Sequence, residues 1–310
     1  MKIAILGAGA MGSLFGGLLA EAGQSVTLID INAAHLGAIR DTGLRLTNDS
    51  GDRHILALKV CRPEQATEPP DLLVVFTKTL HTVSALKGVQ HLLSSDTQVL
   101  SLQNGLGNVE AISEFVPAGQ IMIGVTTWPA DMVGPGHVHS HGQGAIHLMT
   151  ADGSERPALA ACVDSLSTAG LRCEADPEVW VSIWEKVAFN AALNSICAVT
   201  RCTVDQLDLL PEGRALALQV VTEAIAVARA SGVAADLART SAKVVNAIKG
   251  HRGHMPSMLQ DVLAGRPTEV ASINGAIVAA GRRLGVATTC TATLLELVRL
   301  IQARAVVGTA

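Results

Sequence analysis

Apolar residues run in short unbroken blocks through the first half of the chain and at helical spacing through the second. Lys2 to Leu6 is one such block, ending in glycines, as a parallel strand buried on both faces does. The stretch Ser13 to Glu21 predicts a helix that Gly23 closes. Ser25 to Asp30, Asp71 to Thr77, Gln98 to Leu102 and Ile121 to Val125 predict further strands. Strands separated by helical stretches imply an α/β architecture with a doubly wound parallel sheet. Between Thr127 and Met149 the pattern alternates and glycines interrupt it, so antiparallel strands at the sheet edge are expected. Ser154 to Ala169 predicts a helix leading out of this region.

From about Pro177 the strand pattern stops. Helices are predicted over 177–199, 212–231, 235–249, 268–285 and 291–305, with Gly232, Gly250 and Gly285 as stops. The expected organisation is an α/β domain over residues 1–168 and an all-helical domain over 169–310. Their short connection implies that they pack together around a cleft.

Composition narrows the class. Of 310 residues, 49% are apolar and 16% charged, which excludes a disordered chain. Aromatics are 2%, so alanine-rich helices packed closely are expected. A net charge of −4 and no basic aromatic patch argue against nucleic acid and anionic membranes as partners. The six cysteines are scattered without a CxxC pair, and the apolar start is too short for a secretory signal, so a reduced cytoplasmic protein is expected. Alanine-rich helices can pack within one subunit or between two, which leaves a homodimer as a candidate assembly.

Gly7, Gly9 and Gly12 form GxGxxG within "GAGAMG" (Gly7, Ala8, Gly9, Ala10, Met11, Gly12), after a strand and before a helix. In that setting the first glycine permits a tight turn, the second lets a pyrophosphate approach the backbone, and the third lets helix and strand pack closely. The helix N-terminus then stabilises the anion. Asp30 ends the second strand, where a carboxylate accepts from ribose hydroxyls and repels a 2′-phosphate. No arginine stands at 31–34, so NAD(H) is favoured over NADP(H). The competing reading is that Asp30 only starts a turn.

The second-half stretch "SIWEKVAFNAALNSICAV" places Lys186, Asn190 and Asn194 at i, i+4 and i+8 on one helix face. Its other positions are almost all apolar, as in a buried helix. Buried polar groups in such a helix are costly unless they face a cleft or bind something. Desolvation lowers a lysine pKa and lets it exchange a proton near neutrality. The alternative is a solvated stripe. Further on, Ser257, Asp261, Glu269 and Asn274 occur together; Glu269 can simply complement a helix dipole, and Asp261 and Asn274 can tie down a loop. Asn104 and Gly105 follow the fourth strand, where open α/β sheets place ligands, or where an ordinary turn stands.

"GAGAMG", "FTK" (Phe76 to Lys78), "QNGLG", "WEKVAFNAALN" and "PSMLQD…RPTEVASING" follow one another as in ketopantoate reductases, and the chain resembles that family over about residues 1–300. The resemblance implies a Rossmann domain, a helical C-terminal domain and reduction of 2-dehydropantoate to (R)-pantoate with NAD(P)H. NADP(H) is the usual family cofactor. It also implies Lys186 as the catalytic lysine, and Asn190, Asn194 and Ser257 as substrate-binding. Glu269 matches the acid near nicotinamide and lysine, Asn104 an asparagine where cofactor and substrate meet, and Lys78 a cofactor contact. Two positions depart from the pattern. Asp30-Ile31-Asn32 lacks the arginine of NADPH-dependent members, and Val204 stands where a further substrate-binding asparagine is expected. "VTTWPADMVGPGHVHSHGQG" and "FTKTLHTVSAL" are similar to an NAD-dependent branch of D-2-hydroxyacid (D-mandelate-type) dehydrogenases, the runner-up.

A nucleotide-sensing regulator would need the glycine turn but not Lys186, Ser257 or Glu269, so their joint presence favours an enzyme. Related β-hydroxyacid and glycerol-phosphate dehydrogenases also pair a glycine turn with a lysine on a helix, and the "SMLQD…TE" stretch favours the ketopantoate reductase resemblance over those. His137, His139 and His141 alternate along the chain, a spacing compatible with zinc. No carboxylate close in sequence completes a catalytic set and a lysine acid needs no metal, so none is expected.

Overall fold

The computed structural model describes residues 1–307, with side-chain surroundings through Arg304. In chain order the first part holds β1 (Lys2–Leu6), α1 (Ala10–Glu21), β2 (Ser25–Ile29), α2 (Ala33–Thr42), β3 (Leu44–Asn48), β4 (Gly51–Ile55), β5 (Leu58–Cys61), β6 (Leu72–Val75) and α3 (Thr82–Val89). It continues with β7 (Gln98–Ser101), α4 (Asn108–Ser113), β8 (Ile121–Thr126), β9 (Asp131–Gly134), β10 (His137–His139), β11 (Ile146–Thr150), α5 (Pro157–Thr168) and β12 (Cys173–Ala175). The second part holds α6 (Val179–Thr200), α7 (Pro211–Ala230), α8 (Leu237–Gly250), α9 (Ser257–Leu263), α10 (Ala276–Leu284) and α11 (Thr289–Val307).

The main sheet has the order β12-β11-β8-β7-β6-β1-β2-β5. From β8 to β5 every neighbouring pair is parallel. Taken in chain order, those six parallel strands are arranged 3-2-1-4-5-6, the doubly wound dinucleotide-binding order, and the order reverses between β1 and β6. The central strands read as apolar runs because both faces are covered: Leu72, Leu73, Val74 and Val75 are all buried.

The edge differs from the simple alternation expected. β11 joins the sheet antiparallel to β8, and β12 joins β11 in parallel. The expected strands between Thr127 and Met149 therefore divide. Ile146–Thr150 extends the main sheet, whereas β9 and β10 belong to a second sheet of order β4-β3-β10-β9 that packs on α1. β10 pairs in parallel with β3, about ninety residues earlier in the chain.

The chain divides into two compact units. One comprises Met1–Gln103 and Asn108–Val179; the other comprises Asn104–Gly107 and the residues from Trp180 on. The second unit is helical: α7 packs against α8, α10 and α11. The helix expected over 268–285 begins later, with a π turn at Ala271–Gly275 that leads into α10. None of the helices among the described residues is long and apolar enough to cross a membrane.

Candidate active site

The α/β unit builds a glycine turn from backbone. Gly7 follows β1 with φ +99, and its N–H donates to Ile29 O at 2.9 Å. A Cβ at Gly7 would lie 2.7 Å from Thr77 N, and one at Gly12 only 1.9 Å from Gly7 O. Around Gly9 a Cβ would meet nothing within 4 Å. So Gly7 and Gly12 are glycines because the chain closes on itself, and Gly9 because the space beside it is open. Gly9 is the N-cap of α1 and brings no side-chain cap, leaving Ala10 and Met11 to open the helix. Such an N-terminus presents free amides to an anion. Asp30 follows β2, and Lys78 follows β6, the strand across the order reversal.

Asp30 both ties the turn and starts one. Its Oδ2 accepts from Ala8 N–H at 2.7 Å and its Oδ1 from Asn32 N–H at 2.8 Å. A carboxylate has further acceptor sites, so this anchoring leaves capacity for ribose hydroxyls. Arg62, beyond β5, donates to Ile31 O at 3.2 Å and pairs with Glu64 at 2.7 Å. These residues fit a dinucleotide: an open glycine at a helix start, bracketed by two closed ones, beside a fixed carboxylate.

Behind the turn lies a buried relay that sequence reading missed. Ser13 Oγ donates to Ala8 O at 2.8 Å and lies 3.0 Å from His35 Nε2. The other ring nitrogen, Nδ1, accepts from Gly136 N–H at 2.9 Å. Since Nδ1 accepts, Nε2 carries the proton and donates to Ser13. Burial lowers the His35 pKa, opposed by the Asp30 charge and a backbone hydrogen bond to Ala8, in keeping with the neutral ring. Only a lone histidine in an amphipathic helix marked this position, and that signal has no unique meaning.

In the helical unit, α6 carries Lys186, Asn190 and Asn194 on one face. The helix is not a solvated surface rod: Ile183, Val187, Ala188, Ala191, Ala192, Leu193 and Ile196 are all buried. Asn194 is 7% exposed, while Lys186 and Asn190 are half-buried. Burial lowers the Lys186 pKa to about 8, against the raising influence of the Glu269 carboxylate. Glu185, one residue earlier, has the opposite fate. Burial would raise its pKa, but Arg239 Nε at 3.0 Å to each oxygen, the Asp236 N–H and Lys243 together hold it low. That cluster fastens α6 to α8.

Glu269 meets Asn104, whose Nδ2 donates to Oε2 at 3.4 Å. The π turn explains how. Leu106 N–H donates to Ser272 O at 2.9 Å, docking residues 104–107 on the turn. Gly105 makes the docking possible: its φ is +85, and a Cβ would lie 2.7 Å from Ser272 O. Asn274, in the π turn, is fully buried and donates to Ala191 O at 3.2 Å, tying it to α6. Asp261 does tie down a loop, through Arg266 Nε at 3.0 Å. Ser257 is exposed at the first position of α9, and Val204, at the expected asparagine position, is buried. Lys186, Glu269 and Asn104 are thus united, Asn190 and Asn194 share the lysine's helix face, and Ser257 stands at a separate helix start.

Residues 3–153 match the family described as Ketopantoate reductase PanE/ApbA, and residues 178–302 match Ketopantoate reductase PanE/ApbA C terminal. The chain belongs to the ketopantoate reductase family. It is 33% identical over 304 residues to a 2-dehydropantoate 2-reductase of Streptococcus pyogenes, covering 98% of each. A structure of D-mandelate dehydrogenase with NADH and anilino(oxo)acetate is 33% identical, with TM-score 0.93, over 98% of this chain and 99% of that one. A PanE/ApbA family ketopantoate reductase from Ralstonia eutropha is 31% identical, with TM-score 0.91, over 98% and 99%. The chain is therefore an NAD(P)-dependent oxidoreductase of this family.

Proposed function

We propose that this ketopantoate reductase family member reduces the 2-keto group of 2-dehydropantoate to (R)-pantoate, with NADH as the favoured reductant. The observation that carries the reading is Lys186: an ammonium on a mostly apolar helix, its pKa lowered to about 8 by burial against the Glu269 charge, in line with two asparagines. Gly7 to Gly12 would hold the nucleotide's pyrophosphate and Asp30 its ribose, with Lys78 as a further contact. When bound, the reduced nicotinamide supplies a hydride to the carbonyl carbon. As the C=O π bond breaks, its electron pair moves to oxygen, and Lys186 gives that oxygen its proton. The charged amine also stabilises the developing alkoxide beforehand. Asn190, Asn194 and Ser257 orient the carboxylate and hydroxyl of the substrate. Glu269, steadied by Asn104, keeps the lysine protonated near neutrality.

The D-2-hydroxyacid reading is favoured by one observation: Val204, buried and apolar, replaces the asparagine expected to hold the far end of a hydroxylated substrate. A matrix of initial rates crossing 2-dehydropantoate, benzoylformate and 2-ketoisovalerate with NADH and NADPH tests both readings. The highest kcat/KM for 2-dehydropantoate supports the proposal. Preference for benzoylformate with NADH replaces it with the runner-up, and strong NADPH preference removes the Asp30 reading.

A further inference from the structure

We infer that Asp131, His139 and His141 form a binding site for a zinc-class divalent ion on the β9–β10 hairpin. Sequence spacing had shown only alternating histidines. The fold supplies the missing carboxylate, because Asp131 lies directly across the antiparallel pair from His139. His141, two residues beyond His139, continues the same side of the chain. One ligand atom from each residue lies within 4.8 Å of the other two, and the two imidazoles stack with centroids 5.8 Å apart. Tetrahedral donors bound at about 2.0–2.1 Å stand about 3.3 Å apart, so small rotations of the exposed Asp131 and His141 toward the half-buried His139 close the set.

The backbone on either side of His141 is held. Ser140 N–H donates to Thr47 O at 2.9 Å, Ser140 Oγ to Pro129 O at 2.7 Å, and Gly142 N–H to Asp49 Oδ2 at 2.9 Å. The three side chains themselves make no hydrogen bond or ion pair with another described residue. His137 is different: its Nε2 is engaged by Thr47 Oγ1 at 2.9 Å, and it lies outside the cluster of ligand atoms. Two imidazoles and one carboxylate suit zinc with water at the fourth position, whereas magnesium and calcium prefer oxygen donors throughout. The ion has no part in the proposed hydride and proton transfers. It fastens the two ends of the hairpin that carries Gly136, the donor to His35.

Zinc sulfate titrated into the full-length chain against a chromogenic chelator should show one equivalent bound, with Tm rising as zinc is added. D131N, H139Q and H141Q should each weaken that affinity at least tenfold and abolish the Tm rise, while H137Q retains both. Circular dichroism of the variants should show that they remain folded, as expected for positions at or near the surface. Cobalt(II) in place of zinc should give visible d–d bands that H139Q loses. Absence of stoichiometric binding would overturn the inference, as would wild-type affinity in the H139Q/H141Q double variant, which would assign the ion to other histidines or to cysteines.

Discussion

At the nucleotide turn the working surface is backbone, and what matters is which side chains are absent. On α6 it is side chain, and what matters is that burial lowers the pKa of one cation. At Gly12 a single methyl would sit 1.9 Å from a carbonyl, whereas beside Gly9 it would meet nothing. Lys186 and Glu185 are adjacent, yet burial lowers the pKa of the first and disfavours its charge, while the second is held charged by ion pairs. The first region is tolerant of chemistry and intolerant of volume; the second is the reverse.

The sharpest break of this contrast is Lys186→Ala, which should lower kcat by on the order of 10²-fold or more, with NADH binding by fluorescence titration nearly unchanged. Retained turnover would remove the lysine from the mechanism. Gly12→Ala should do the opposite, destabilising the fold by about 3 kcal/mol through overpacking, read as a fall in Tm. Gly9→Ala should leave Tm unchanged and weaken NADH binding, because its methyl enters only the open space; unchanged affinity would mean that no phosphate approaches there.

Lys186 also gives a pH signature. A proton donor with a pKa of about 8 is charged below that value and neutral above it. Reductive kcat/KM should therefore fall as pH rises through about 8, and alcohol oxidation should fall as pH drops through it. Its stability effect has a sign as well. The folded pKa lies below the unfolded 10.5, so this group adds stability as pH rises from about 8 toward 10.5.

The smallest effect concerns His35. Its folded pKa is lowered from 6.5, so its contribution to stability is present above 6.5 and is lost as pH falls below it. His35→Gln should flatten the acid-side decline of Tm, and an unchanged slope would assign that decline elsewhere.

The five parallel strands β1, β2, β6, β7 and β8 were legible because burial on both faces leaves apolar runs that little else produces. β3, β4 and β5 were not, since "LRLTN" and "GDRHI" are half-exposed and largely polar, and β3 pairs on its other side with β10, far along the chain. The Lys186 stripe was legible because polarity at i, i+4 and i+8 contrasts with an apolar helix. The π turn was not, as no periodicity distinguishes it from the start of α10. Asn104 and Glu269 were indicated by family resemblance, but their juxtaposition depends on Gly105 adopting a positive φ.

Residues 104–107 are grouped with the helices although they leave the sheet only one strand earlier in the sequence. The polypeptide consequently passes between the two units three times instead of once. Expressing the segment from Trp180 alone would omit the tetrapeptide that saturates the Ser272 carbonyl, so two halves made separately would not recreate the whole by simple mixing.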